Sequence, residues 1–279
     1  MKEHLKERQC KSPENYCWGR NPVIFLLSRT PSRCLKVFIS KTMKGFVVGK
    51  ITKLCSNAGI PFSFAGLDAM SAMTGGENHQ GVAAVVSPAD VLDFGEALKI
   101  VPSDPEPAMA VIMDHIEDPR NMGAIIRSAE AAGAVFAAFP SRRGALPTGT
   151  VAKTSAGASL RFPLASLGNV ANAVMEAQKT GFWTIGLDEE ASGTIYDSPL
   201  PARCVFVVGG ENSGISRTAG ASCDELLRIP MEGECGSLNA SVAVSVCMFE
   251  WARVNRISKV RSEKNDERTK KQSPDRRRH

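Results

Sequence analysis

The segment AMAVIMDHIEDPRNMGAIIRSAEAAGAVFAAFP occupies residues 108–140, and its reading decides the architecture. Residues 108–113 are all apolar and run into Asp114 without a break, as a strand covered on both faces would. Asp118-Pro119-Arg120-Asn121 then reads as a turn into an Ala-rich helix, with Asp118 or Asn121 as the candidate cap. A second apolar run, residues 134–140, follows Gly133. Strand, helix and strand in this order imply a parallel sheet with helices on its faces. One permanent charge, Arg127, sits among Ile125, Ile126 and Ala129. Gly123 and Arg127 are four residues apart and share a helix face, with Glu130 close by. Two readings follow: an Arg127–Glu130 surface pair beside an incidental glycine, or a charge facing a ligand across the space that glycine leaves.

The same rhythm continues outward. Short apolar runs recur in RFPLA (161–165), FWTIGLD (182–188), CVFVVG (204–209) and ELLRIP (225–230). A helix is expected at 168–180, and a last one from about Ser237 to Val254. GTVAKTSAGA (149–158) reads as a Gly/Thr/Ser-rich loop. Polar, glycine-rich sequence gathers where strands end, in DHIEDPRN (114–121), GGENSG (209–214) and PMEGECGSLN (230–239). In parallel sheets ligands bind outside those carboxyl ends. Upstream, KVFIS (36–40), IPFSFA (60–65) and GVAAVV (81–86) read as strands. GKITKLCSNAG (49–59) reads as a helix, with Ile51, Leu54 and Cys55 at helical spacing. The expected organisation is a polar N-terminus (1–16), a small α/β domain (17–90), a linker (91–107) that is part helix and closes with VPSDPEP, an α/β domain (108–255) and a polar tail (256–279).

Composition supports this division. Among 279 residues, 43% are apolar but only 6% aromatic, so the cores rest on Ala, Val, Ile and Leu. The net charge of +5 is uneven: +5 over residues 17–90, −7 over 91–255 and +6 over 256–279. A basic front and a basic tail suit a polyanion, whereas the main domain by itself does not. The eight cysteines show no C-x-x-C and no metal spacing, and several lie in apolar runs. Buried, reduced thiols in a cytoplasmic protein are expected. The opening MKEHLKERQC lacks a signal-peptide core, and no apolar run reaches the length of a membrane span.

Two further segments could carry chemistry. VVGGENSG (207–214) places two glycines and Glu211 at a strand end. It is neither G-x-G-x-x-G nor a P-loop. In IPMEGECGSLNASVAV (229–244), Ser237 could cap the last helix and Asn239 would lie in its first turn. A capped helix with no further role is the plainer reading of that segment.

Together the three segments resemble the three signature motifs of the SpoU family of RNA 2′-O-ribose methyltransferases, in the SPOUT class. The first motif matches at Asn121, Gly123 and Arg127, and the second at Gly209, Glu211 and Gly214. The third matches at Ile229, Pro230, Met231, Gly233, Ser237, Leu238 and Asn239. KTSAGA also resembles a family segment, at Lys153, Ser155, Gly157 and Ala158. GRNPV (19–23) and HQGVAAVV (79–86) are similar to the family's small, ribosomal-protein-like substrate-binding domain. Gly236, Asn212 and Pro22 depart from the residues common at those positions.

The resemblance implies an α/β trefoil knot, a homodimer, S-adenosylmethionine as cofactor, no metal, and methylation of a guanosine ribose in large-subunit ribosomal RNA. Transfer RNA is the near alternative substrate; no DNA or membrane partner is implied. It implies a catalytic set of Asn121, Arg127, Glu211, Ser237 and Asn239. It assigns the cofactor to Gly209, Gly210, Gly214, Ile229, Met231, Leu238 and Asn239. RNA contacts would come from Arg20, Asn21, His79, Gln80 and Lys153. The motif arginine either donates to the developing alkoxide or acts as a base in a perturbed state; ordinary arginine is a donor only. Two other classes compete. A non-catalytic RNA-binding protein would not need the intact Asn, Arg and Glu positions, and a nucleotide-dependent oxidoreductase would carry a dinucleotide fingerprint after residue 114.

Overall fold

The computed structural model describes residues 16–87, 90–142, 144–197, 200–211, 213–233 and 236–257. Residues 1–15 of the polar N-terminus with Cys10, nearly all of the basic tail, Asn212 and Cys235 lie outside the described residues.

The small unit runs β1 (Tyr16–Trp18), α1 (Arg20–Arg29), β2 (Cys34–Ser40), α2 (Phe46–Asn57), β3 (Phe62–Ala65), α3 (Leu67–Met73) and β4 (Val82–Val86). Its four strands lie in the order β1-β4-β2-β3. β4 is antiparallel to β1 and β2, and β2 is parallel to β3. Val23 and Leu26 of α1 and Ile51 and Cys55 of α2 are fully buried against Val37, Ile39, Val82 and Ala84. The four-residue spacing of Ile51 and Cys55 therefore faces the sheet, as their periodicity predicts.

The large unit holds β5 (Val91–Asp93), α4 (Phe94–Lys99), β6 (Ala108–Asp114), α5 (Pro119–Ala132), β7 (Ala137–Pro140) and α6 (Gly149–Thr154). It continues with β8 (Leu164–Leu167), α7 (Val170–Lys179), β9 (Trp183–Leu187), β10 (Gly193–Thr194), β11 (Arg203–Gly209), α8 (Arg217–Ser222), β12 (Glu225–Arg228) and α9 (Ala240–Ala252). The eight strands lie in the order β10-β12-β9-β11-β6-β7-β8-β5, every neighbouring pair parallel. All seven residues of β6 are buried. Met109, Val111 and Met113 join the core beneath α5 and α9, while Ala108, Ala110 and Ile112 join the opposite core with Phe94 and Val174. The strand is therefore apolar throughout because both faces are covered.

Two expectations change. The connection expected at 91–107 does contain a helix, α4, under an Asp93/Glu96 capping box, but β5 before it is a strand that forms the edge of the large sheet. The loop expected at 149–158 contains α6, a six-residue helix. A helix that short has too few internal hydrogen bonds to advertise itself in sequence and depends on its neighbours. Those neighbours come from both units. A Cβ on Gly149 would stand 2.0 Å from the Tyr16 carbonyl oxygen and 2.2 Å from the Trp18 ring, so only glycine lets β1 lie on α6. Ala152 and Leu160 of the large unit join the core of the small one.

Candidate active site

Three loops meet at the carboxyl end of the large sheet. Asp118 caps α5, its carboxylate accepting from the Arg120 amide at 2.8 Å, with Pro119 as the first helical residue. This leaves Asn121 in the first turn and not at the cap, so its side chain is available for long-range bonds. α9 begins later than expected: Asn239, not Ser237, is its cap, accepting from the Ser241 and Val242 amides at 3.0 and 3.3 Å. Asn239 caps the helix through its Oδ1 while its Nδ2 reaches across the site.

Those ends converge. The Asn121 amide donates to Glu211 Oε1 at 2.9 Å, and Asn239 Nδ2 donates to Asn121 Oδ1 at 3.0 Å and also to Glu211. Residues 28 to 118 positions apart in the chain thus close a triangle in which one carboxylate accepts from two amides. Glu211 is thereby fixed in orientation beside the turn that starts at Gly209.

A cleft of about 390 Å³ lies against this triangle, within the usual size of small-molecule sites. Gly209, Gly210, Gly214, Ile229, Met231, Leu238, Glu211 and Ser237 all line it. The backbone between them is tightly folded: a Cβ on Gly209 would fall 1.9 Å from the Gly214 carbonyl, and the Gly214 amide donates to the Gly210 oxygen at 2.8 Å. Asp188, Glu189 and Glu190 also line the cleft. Sequence reading missed them, although three acidic residues directly after the apolar run of β9 were a usable signal.

Gly123 and Arg127 behave differently from their expectation. Gly123 is buried, and an added Cβ would meet the Thr154 hydroxyl at 1.9 Å and the Ser155 amide nitrogen at 3.0 Å. The glycine therefore makes room for α6, not for a ligand. Arg127 is exposed and does not line the cleft of its own chain. Glu130 is paired with Arg161, which removes the Arg127–Glu130 surface pair. Among the described residues Arg127 has no hydrogen-bond or ion-pair partner.

The expected RNA-contacting residues fall in two places. Arg20 and Asn21 are exposed at the start of α1, where the Arg20 amide and Nε donate to Gln80 Oε1 and the Gln80 carbonyl at 3.0 and 3.2 Å. His79 Nδ1 accepts from the Gly81 amide at 3.0 Å. Lys153 is instead bound to Glu77 at 3.1 Å, and Arg120 lies 3.9 Å from the same carboxylate. The loop of the small unit is thus tied beside the helix turn that carries Asn121.

Comparison with known proteins accords with this geometry. The family described as SpoU rRNA Methylase matches residues 108–249, and the one described as RNA 2′-O ribose methyltransferase substrate binding matches residues 16–92. The chain belongs to the SpoU rRNA methylase family. It is 35% identical over 240 residues to the 23S rRNA (guanosine-2′-O-)-methyltransferase RlmB of Photobacterium profundum, covering 86% of this chain and 98% of that one. The protein of that name in Escherichia coli is 33% identical over 85% of this chain and 97% of its own. Among solved structures, the SpoU methyltransferase AviRb of Streptomyces viridochromogenes superposes with a TM-score of 0.71 over 90% of this chain and 91% of its own, at 22% identity. Its complex with AdoMet gives 0.69 over 87% and 90%, also at 22% identity. The SpoU fold with its small substrate-binding domain is therefore the fold of this chain. Among the described residues, no helix is long and apolar enough to cross a membrane.

Proposed function

We propose that this protein transfers a methyl group from S-adenosylmethionine to the 2′-hydroxyl of a guanosine ribose in large-subunit ribosomal RNA, in the cytoplasm. The observation that carries this reading is the closure of Asn121, Glu211 and Asn239 beside a glycine-walled cleft. The activity stated in the names of relatives matched over nearly their whole length supports the substrate.

The residues present suit that cofactor. Gly209, Gly210 and Gly214 line the cleft without side chains, so a ligand can approach the backbone closely, and the carboxylates of Asp188, Glu189 and Glu190 suit a ligand bearing a cation and hydroxyls. When bound, S-adenosylmethionine supplies an activated methyl group on a sulfonium. The chain's own part is binding and alignment. Gly209, Gly210, Gly214, Ile229, Met231 and Leu238 wall the cleft, and the amide-fixed Glu211 orders its mouth. Ser237 lies at the same rim. Arg127 donates to the ribose or an adjacent phosphate and stabilises the oxygen as its proton passes to solvent water. That donor role needs no shift in its protonation, unlike the role of base.

Arg127 reaches a reaction centre through a second copy of the chain. Ala124 and Ser128, its neighbours on α5, line an open groove with exposed Val242 and Phe249 of α9. An exposed apolar face of this kind suits burial against a partner, and the homodimer reading places both copies' residues at each site. The small domain, +5 over residues 17–90, holds RNA phosphates with Arg20, Asn21, His79 and Gln80, and Lys153 pairs with Glu77 of that domain. The knotted threading belongs to the same reading.

The test combines calorimetry with methylation mapping. Wild-type protein binds S-adenosylmethionine and adds a 2′-O-methyl to a guanosine of a 23S ribosomal RNA transcript. Arg127→Ala retains cofactor binding and loses methylation. Full activity of that variant, or methylation confined to transfer RNA, would contradict the assignment.

A further inference from the structure

The structure places one unassigned pair of side chains behind the cofactor turn. Asp114, the last residue of β6, is fully buried and sits in register with Gly209 of β11. Its Oδ2 accepts from the Ser216 amide at 2.7 Å, and its Oδ1 bonds His115 Nδ1 at 2.5 Å. When Asp114 is ionised its carboxylate only accepts, so the bond then takes its hydrogen from Nδ1. His115 has a φ of +58°, a left-handed conformation that a side chain disfavours. Strain of this kind persists only where surrounding contacts determine it. Those contacts are the Asp114 bond on one side and the Gly210 backbone on the other. A Cβ on Gly210 would come within 2.9 Å of the His115 carbonyl oxygen.

Both limbs of the turn that walls the cleft, 209–211 and 213–216, therefore lean on this dipeptide. The first limb packs on the His115 carbonyl, and the second is bonded to Asp114 at Ser216. A buried carboxylate with one donor missing would turn toward another partner or bring in water, and its hold on Ser216 would loosen.

We propose that His115, acting through Asp114, is a positioning residue that sets the turn between β11 and α8 in its cofactor-binding shape before the cofactor arrives. The role rests on the methyltransferase reading for its ligand, but the preset turn is a property of the free protein. His115 touches the turn and not the reacting atoms, so its loss raises the KM for cofactor and leaves kcat at saturation nearly unchanged.

Three full-length proteins test it: wild type, His115→Gly and His115→Asn. Glycine removes the backbone strain and the donor together, whereas asparagine tolerates the left-handed region and keeps a donor for Asp114. In His115→Gly, affinity for S-adenosylmethionine by calorimetry falls about tenfold or more, while the melting temperature holds or rises. Amide exchange at Ser216 in the cofactor-free protein becomes faster. His115→Asn restores affinity and slow exchange. Wild-type affinity and unchanged Ser216 exchange in His115→Gly would overturn the proposal, as would an asparagine variant as weak as the glycine one. If wild type itself did not bind S-adenosylmethionine, the methyltransferase reading would fail, and Ser216 exchange would still decide whether His115 holds the turn.

Discussion

At the residue scale, Asn239 separates folding from chemistry. Its Oδ1 caps α9 and its Nδ2 bridges Asn121 and Glu211. Asn239→Asp keeps the acceptor for the Ser241 and Val242 amides but sets a second carboxylate against Glu211. The expected outcome is a melting temperature within a few degrees of wild type and loss of methyl transfer. Asn239→Ala loses the cap as well, at about 1 kcal/mol in denaturant unfolding. Asn121, Glu211 and Asn239 were legible only through the joint resemblance of three separated segments to one family's motifs, because each segment alone has a plainer reading, and Asn239 does cap a helix. The Gly123 environment was not, because its reason lies in a helix that local sequence did not announce. The thiols form a second residue-level case. Burial pushes Cys17, Cys34, Cys223 and Cys247 from an ordinary 9.0 up to about 12. Between those values the unfolded chain has lost protons that the native chain keeps, so stability falls as pH rises. The contribution is complete below pH 9 and is lost by about 12. Urea midpoints measured across that range are expected to be flat up to pH 9 and to fall beyond it.

At the scale of elements, long strands and helices with a clear period were readable, and those made by tertiary contact were not. β6 and α5 follow the sequence pattern closely, from the buried run 108–113 to the left-handed Gly133 that ends the helix. β1, β5 and α6 are three, three and six residues long. Each exists because a neighbour supplies its hydrogen bonds or its covering surface, which no window of local sequence contains. The α5–α6 contact gives this a measurable form. In Gly123→Ala the added methyl meets both the Thr154 side chain and the Ser155 backbone. Thr154 Oγ1 bonds the Thr150 carbonyl at 2.9 Å, so it cannot swing away without losing that bond. Overpacking of this kind costs about 1–3 kcal/mol. The variant is expected to lower the unfolding free energy by that amount and to keep its cofactor affinity, since Gly123 does not line the cleft. A variant as stable as wild type would show that α6 moves freely against α5.

At the scale of the whole molecule, the question is what holds the small unit against the large one. Three kinds of contact cross between them. Glu77 is ion-paired with Lys153 and faces Arg120, and all three side chains keep solvent access. Pairs of that kind are worth roughly 0–1 kcal/mol and weaken with salt. The apolar contacts are closer: β1 on Gly149, Phe25 on Gly157, and Ala152 and Leu160 within the small core. Arg33 adds a bond from its guanidinium to the Leu160 carbonyl. Packing should therefore dominate. Glu77→Ala is expected to unfold in a single transition within about 1 kcal/mol of wild type. Gly149→Ala drives a methyl into the Tyr16 carbonyl and the Trp18 ring, and backbone cannot rotate away as a side chain can. It is expected to split calorimetric unfolding into two transitions and to lower RNA affinity, with S-adenosylmethionine affinity unchanged because the cleft lies wholly in the large unit. The opposite order, a single transition in Gly149→Ala and two in Glu77→Ala, would mean that the ion pairs and not the shared core fix the small domain beside Asn121.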